Sequence, residues 1–211
     1  MDSNKYLDDI SEIKNMMSRS SRFISLSGLS GILAGIYALI GAYLAYLKLT
    51  AFWAIDPTAY ARNNSAPLGT NLILDLTIIA ICVILAAIIT GAVLSIQKAK
   101  KSEESIWNKT SQRLVLNFLI PLVAGGIFCL VLLQYGFTGL VAPATLIFYG
   151  LACVNASKYT LGDVRYMGIA FIIIGLISTQ FLGYGLYFWA LGFGVFHIIY
   201  GSMMYFKYDR K

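Results

Sequence analysis

Hydrophobic and polar positions in this chain fall into long blocks rather than short alternations. Apolar stretches run over about 23–47, 68–96, 114–135, 140–156, 166–182 and 184–206. Each is near or above the ~17–20 residues with which a helix crosses ~30 Å of hydrocarbon. The pattern predicts an all-α, polytopic membrane protein with six transmembrane helices. Most connections are very short, so successive helices must be antiparallel neighbours, arranged as three hairpins over residues 22–207. The exceptions are 48–67, read as one long external loop with Ala51–Ile55 lying in the interface, and 97–112, read as a basic loop anchored by Trp107.

The first 21 residues are polar but patterned. Leu7, Ile10, Ile13 and Met17 recur at helical spacing, with acidic residues early and basic residues late. That order suits the helix dipole and predicts an amphipathic helix. Residues 208–211 are left as a short tail.

Charge orients the spans. Of sixteen lysines and arginines, only Lys48 and Arg62 fall at one set of span ends; the other fourteen fall at the opposite set. By the positive-inside rule both termini are cytoplasmic. The net charge of +6 therefore reflects topology, not a phosphate-binding face, and no nucleic acid partner is expected. Charged residues make up only 12% of the chain, about half the usual soluble share. The first apolar stretch is too long for a signal-peptide core and is read as a retained span. Cys82, Cys129 and Cys153 are odd in number, lack a CxxC, and read as packing residues.

A parallel internal repeat is visible. Gln134–Leu140 resembles Gln180–Leu186, and Tyr149-Gly150 precedes Lys158 much as Tyr200-Gly201 precedes Lys207. Arg113 and Arg165 open the two hairpins; in the first, Arg22 opens and Thr90-Gly91 precedes Lys98. Such repeats are related by an axis along the membrane normal. Chance similarity among apolar helices is the rival reading.

Several polar residues stand out against this background. Asp75 is the only acidic residue well inside a span, with Asn71 one turn earlier. A carboxylate at that depth needs a partner, a proton or water. Its candidate partners are Tyr43, Tyr46, Lys48 and Arg62. Gln134, Thr179 and Gln180 lie at similar depth, so an outward-facing polar pocket is one expectation and a structural carboxylate held by tyrosine hydroxyls or Lys48 is the other. His197, Tyr149 and Tyr200 lie deeper, with Asn155 or Asn117 as further acceptors for the tyrosines. Pro121 removes a hydrogen bond to the Asn117 carbonyl. With Gly125 and Gly126 following, it reads as a kink or hinge. Gly31 and Gly35 form a GxxxG that lets helices approach closely, within the chain or in a homodimer. No metal set, cofactor motif or catalytic signature such as HExxH, GxSxG or a Walker loop is present.

The segment Met17–Gly31, followed by Ala34-Gly-Ile-Tyr37, resembles the start of a family of uncharacterised six-helix integral membrane proteins of Bacteroidetes-type bacteria. The likeness extends through most of the spans and implies a bacterial inner membrane location. It transfers no activity, so no residue inherits a role. The leading expectation is a module that binds a small molecule or lipid, as sensor or transport-type protein. The runner-up is a structural or regulatory partner, acting on a cytoplasmic protein or a second copy through the N-terminal helix and helix one. A membrane-embedded enzyme comes third.

Overall fold

The computed structural model describes residues 27–55, 69–101 and 107–210. The amphipathic helix expected over 1–21, together with Arg22 and Arg62, lies outside them. Among the described residues the chain is helical throughout and has no strand. Helix α1 is Gly28–Ile55, α2 Thr70–Lys101 and α3 Lys109–Gln134. A short 3₁₀ turn, Thr138–Leu140, leads into α4, Val141–Ala156. Helix α5 is Asp163–Ser178, and α6 is one rod, Gly185–Asp209. Two stretches of α6, Ala190–Phe196 and Tyr205–Asp209, are π-helical.

Five of these rods are long and apolar enough to cross a membrane. The remaining one, α5, has 16 residues and covers only about 24 Å. The span expected over 166–182 thus stops at Ser178. The chain then turns through 179–184, with Gly183 at φ +97°, a conformation that glycine adopts without a Cβ clash. Despite its length α5 is central, with Phe171 and Ser178 fully buried.

Two other expected boundaries move outward. Residues 48–55, read as loop, continue α1. No glycine or proline interrupts them, and the Thr50 hydroxyl donates to the carbonyls of Tyr46 and Leu47 at 3.0 Å each. Tyr208 and Asp209, read as tail, belong to α6. Helix α3 begins with a reciprocal cap. The Asn108 side chain accepts from the Ser111 N–H at 2.8 Å, and the Ser111 hydroxyl oxygen accepts from the Asn108 N–H at 2.9 Å.

In cross-section, α1 lies between α2 and α6, and α4 lies between α3 and α5; α6 also reaches α4 and α5 and so joins the two groups. The outer helices are largely uncovered. Ile78, Ile81, Ile84, Leu85, Ile88 and Ile89 of α2 are all exposed, and so is Cys82, which therefore does not pack in the interior. Lipid tails are as apolar as these side chains, so their exposure to a bilayer carries no penalty.

The inner contacts depend on glycine. A Cβ on Gly201 would stand 2.5 Å from the Ile32 nitrogen and 2.7 Å from the Gly28 oxygen. Gly31 and Gly35 of the GxxxG face the same helix, 3.1 Å from the Gly201 Cα and 2.7 Å from the Gly194 oxygen by the same measure. The α4–α5 crossing repeats the arrangement reciprocally: Gly150 to the Gly168 oxygen is 2.6 Å and Gly168 to the Gly150 oxygen 2.7 Å. Both crossings are backbone on backbone.

Two carboxylates lock one end of the bundle. Asp209 accepts from Lys98 of α2 at 2.6 Å and from the Gly28 N–H, the first donor of α1, at 2.8 Å. It thus ties α6, α2 and α1 together and satisfies a helix N-terminus with a negative charge. Asp163, opening α5, accepts from Lys207 at 2.7 Å and Tyr208 at 3.0 Å of α6.

Gly201→Ala should lower the unfolding free energy in detergent by roughly 1–3 kcal/mol, because the added methyl meets backbone that cannot rotate away. Gly126→Ala is the control. Nothing lies within 4 Å of its Cβ position, so stability should hold or rise by up to ~1 kcal/mol. Equal effects at both sites would show that the crossing tolerates a side chain.

Candidate binding site

Two of the expected polar residues meet in the interior. The Tyr149 hydroxyl is 2.8 Å from His197 Nε2, and His197 Nδ1 is 3.4 Å from the Gly192 carbonyl. Both contacts are satisfied when Nδ1–H donates to Gly192 and Nε2 accepts from the tyrosine. Aromatic rings close around the pair. Phe171 and Phe193 lie 4.9 and 5.0 Å from the Tyr149 ring, and Phe118 meets it edge-on at 5.8 Å. This is a packed and internally satisfied polar pair.

Local backbone places the histidine. The π-helical stretch Ala190–Phe196 ends at His197, and its wider turn changes which side chains face which neighbour. Gly194 turns toward Leu39 of α1, while Gly192 turns toward Leu146 and Phe171 of α4 and α5. One helix thus serves two neighbours at one level.

Asn117 and Pro121 resolve into a structural device. Pro121 lies inside α3 and has no N–H for the Asn117 carbonyl. Asn155 of α4 supplies the donor instead, at 2.8 Å, and the Asn117 side chain turns back to the Arg113 carbonyl at 2.8 Å. Neither deep tyrosine uses Asn155: the Tyr149 hydroxyl meets His197, and that of Tyr200 has no partner among the described residues. Gly125, expected as part of a hinge, is buried against Phe148 of α4; Gly126 faces open space. The helix is continuous through the proline.

The outer polar residues do not converge. Asp75 pairs with Lys48 at 2.8 Å, and the two side chains are 42% and 53% exposed, so this is an ion pair at the surface of α1 and α2. Lys48 can reach because α1 continues past it. Asn71 and Gln134 are exposed, and Gln180 bonds to its neighbour Thr179. No group of three His, Cys, Asp or Glu that would hold a metal occurs among the described residues.

The remaining tyrosine leads to a different place. Tyr200 lines a groove of about 370 Å³ between α5 and α6, at the end held by the two carboxylates. Met167, Ala170, Phe196, Ile199 and Met203 form its apolar wall, with Asp163, Lys207 and Tyr166 at one end. The Tyr200 hydroxyl is buried and has no partner among the described residues. The Lys207 ammonium beside Asp163 holds its carboxyl below the usual range, against a smaller opposing effect of partial burial. Asp163 was not singled out from sequence, and Lys207 entered there only as the close of a repeat, not as a site residue. A signal existed: after Glu104 the chain has only two acidic residues, Asp163 and Asp209, each set in a basic rim, and both are bonded.

A second surface hollow, of about 460 Å³, lies at the opposite end of α6 under Phe181, Tyr184, Tyr187, Phe188 and Leu191, and offers no charged group. No protein-family model, curated protein or solved structure matches the chain.

Asn155→Leu should destabilise the protein by about 1–2 kcal/mol, by stripping a donor from a part-buried carbonyl. In a Pro121→Ala background residue 121 regains its own N–H, so the same change should cost less than half as much. Strict additivity in this unfolding cycle would separate the two residues. The Asp163–Lys207 pair gives a pH signature. A carboxylate with a depressed folded pKa contributes stability above its unfolded value and loses it as pH falls through the folded one. The thermal midpoint of the native protein should fall further than that of Asp163→Asn as pH drops below ~4; parallel curves would mean that the pair contributes nothing.

Proposed function

We propose that this is a bacterial inner-membrane protein that binds a lipid or lipid-like small molecule in the groove between α5 and α6, as a sensor or transport-type module. All six helices cross the bilayer in this reading, and both termini face the cytoplasm. The one-sided charge supports it: Lys98, Lys207 and Arg165 share the end where Asp163 and Asp209 sit, and Lys48 lies at the other. The groove then opens at the level of the cytoplasmic headgroups. Helices of the second and third hairpins are read as copies. Gly150 meets Gly168 and Gly201 meets Gly28, so each hairpin's second helix closes on another hairpin's first; the corresponding Gly91 has nothing within 4 Å of its Cβ position. The likeness to the Bacteroidetes-type family is carried as part of this proposal.

The observation that carries the binding reading is the groove itself. It combines an apolar wall with an ionic rim, and the Tyr200 side chain lines it. A hollow of this kind in contact with a bilayer fills with acyl chain, because an empty one forfeits dispersion contacts along its whole lining. The GxxxG face, by contrast, is occupied by α6, which favours a lipid ligand over a second copy docked at that face.

The test is to fill the groove from either side. Ala170→Trp and Ile199→Trp should each abolish the phospholipid that the native protein retains through detergent purification, as read by native mass spectrometry, with thermal midpoints unchanged. Undiminished retention in both folded variants would remove the reading.

A further inference from the structure

The rim of the groove has unused bonding capacity of both signs. Lys207 and Tyr208 both donate to Asp163 Oδ2, so Oδ1 has no donor among the described residues. The Lys207 ammonium carries three N–H donors and spends one on Asp163. Both side chains are open to a ligand, Asp163 being 34% and Lys207 58% exposed. Below them lies the apolar wall of Met167, Ala170, Phe196, Ile199 and Met203, with the charges at one end.

The geometry points to a phospholipid with an amine-bearing headgroup, of the phosphoethanolamine kind, drawn from the leaflet at the basic end. Its primary ammonium bonds Asp163 Oδ1, its phosphate takes the free donors of Lys207, and an acyl chain lies along the wall. This rests on the groove reading above and adds the headgroup chemistry to it.

The choice among headgroups follows from charge and donors. A phosphoglycerol headgroup brings an anion alone; it would draw on Lys207 while setting a negative charge beside Asp163. A phosphocholine headgroup has the right charges, but its quaternary nitrogen has no N–H to give a carboxylate. Phosphoethanolamine supplies both an ammonium with N–H donors and a phosphate. One ion pair becomes a chain of three without breaking the Lys207–Asp163 bond, and such charge-assisted bonds are the strong ones.

The full-length protein is delipidated, offered an equimolar mixture of dioleoyl phosphatidylethanolamine, phosphatidylcholine and phosphatidylglycerol in mixed micelles, and read by native mass spectrometry. Phosphatidylethanolamine should be bound roughly tenfold better than phosphatidylcholine, as one charge-assisted hydrogen bond implies. Asp163→Asn should bring the two to near parity while total lipid binding persists. Asp163→Glu, which keeps the charge on a longer stem, should restore part of the preference; an asparagine defect due to misfolding would instead show as a lowered thermal midpoint that glutamate also fails to correct. Equal binding of all three lipids, or a preference for phosphatidylglycerol, overturns the headgroup assignment and leaves the groove reading standing. Lipid binding that is indifferent to Ala170→Trp and Ile199→Trp overturns both.

Discussion

Contact of backbone with backbone at two glycine crossings is the constraint on which this bundle depends. Where Gly28 meets Gly201 and Gly150 meets Gly168, the approach is too close for any Cβ. In lipid there is little hydrophobic gain in joining helices, so association must come from packing and polar contacts. The crossings bring the helix axes close enough for the rest to form. The Tyr149–His197 bond spans α4 and α6, and the Asp209 cap spans α6 and α1. Both need α6 held tightly on both sides. The π-helical turn lets one helix meet both demands.

Polar residues in this membrane domain divide by what they repair. Asn155 donates to the carbonyl that Pro121 leaves bare, and His197 is held between Tyr149 and Gly192. Asp209 completes the first turn of α1. These groups are satisfied by the protein alone. The Tyr200 hydroxyl and one oxygen of Asp163 are not, and both residues line the same groove. Ser178 Oγ, buried in α5 outside the groove, also lacks a partner among the described residues, so the proposed site is marked by its ionic rim and apolar wall together and not by an unpaired group alone.

Much of the architecture was legible because bilayer thickness acts on block length. Apolar blocks of twenty or so residues announce rods, and small residues four apart on α1 announce a close neighbour. The boundaries were less legible. Lys48 and Thr50 look like loop residues by polarity, yet nothing after Leu47 breaks the helix before Ile55. The pairing of helices was hidden too. Block patterns do not say that α1 meets α6 across the whole chain, and only that meeting makes Asp209 an N-terminal cap. The candidate site shifted for a related reason. Asp75 stood out as a charge in an apolar run, but a long side chain at residue 48 reaches it once α1 is extended. Asp163 looked ordinary because it lay in a connection, and its importance depends on the partner that α6 brings to it.

The Ser27 and Gly28 contacts to Asp209 join positions more than 180 residues apart in sequence. Helices leave the ribosome in order, so α1 enters the bilayer long before its principal partner is made. During the synthesis of α2 to α5 its glycine face lacks α6, and the first amide of the helix lacks Asp209. Closure of these six helices therefore waits for the end of α6. A chain arrested anywhere before α6 would present an open glycine seam to the membrane quality-control machinery.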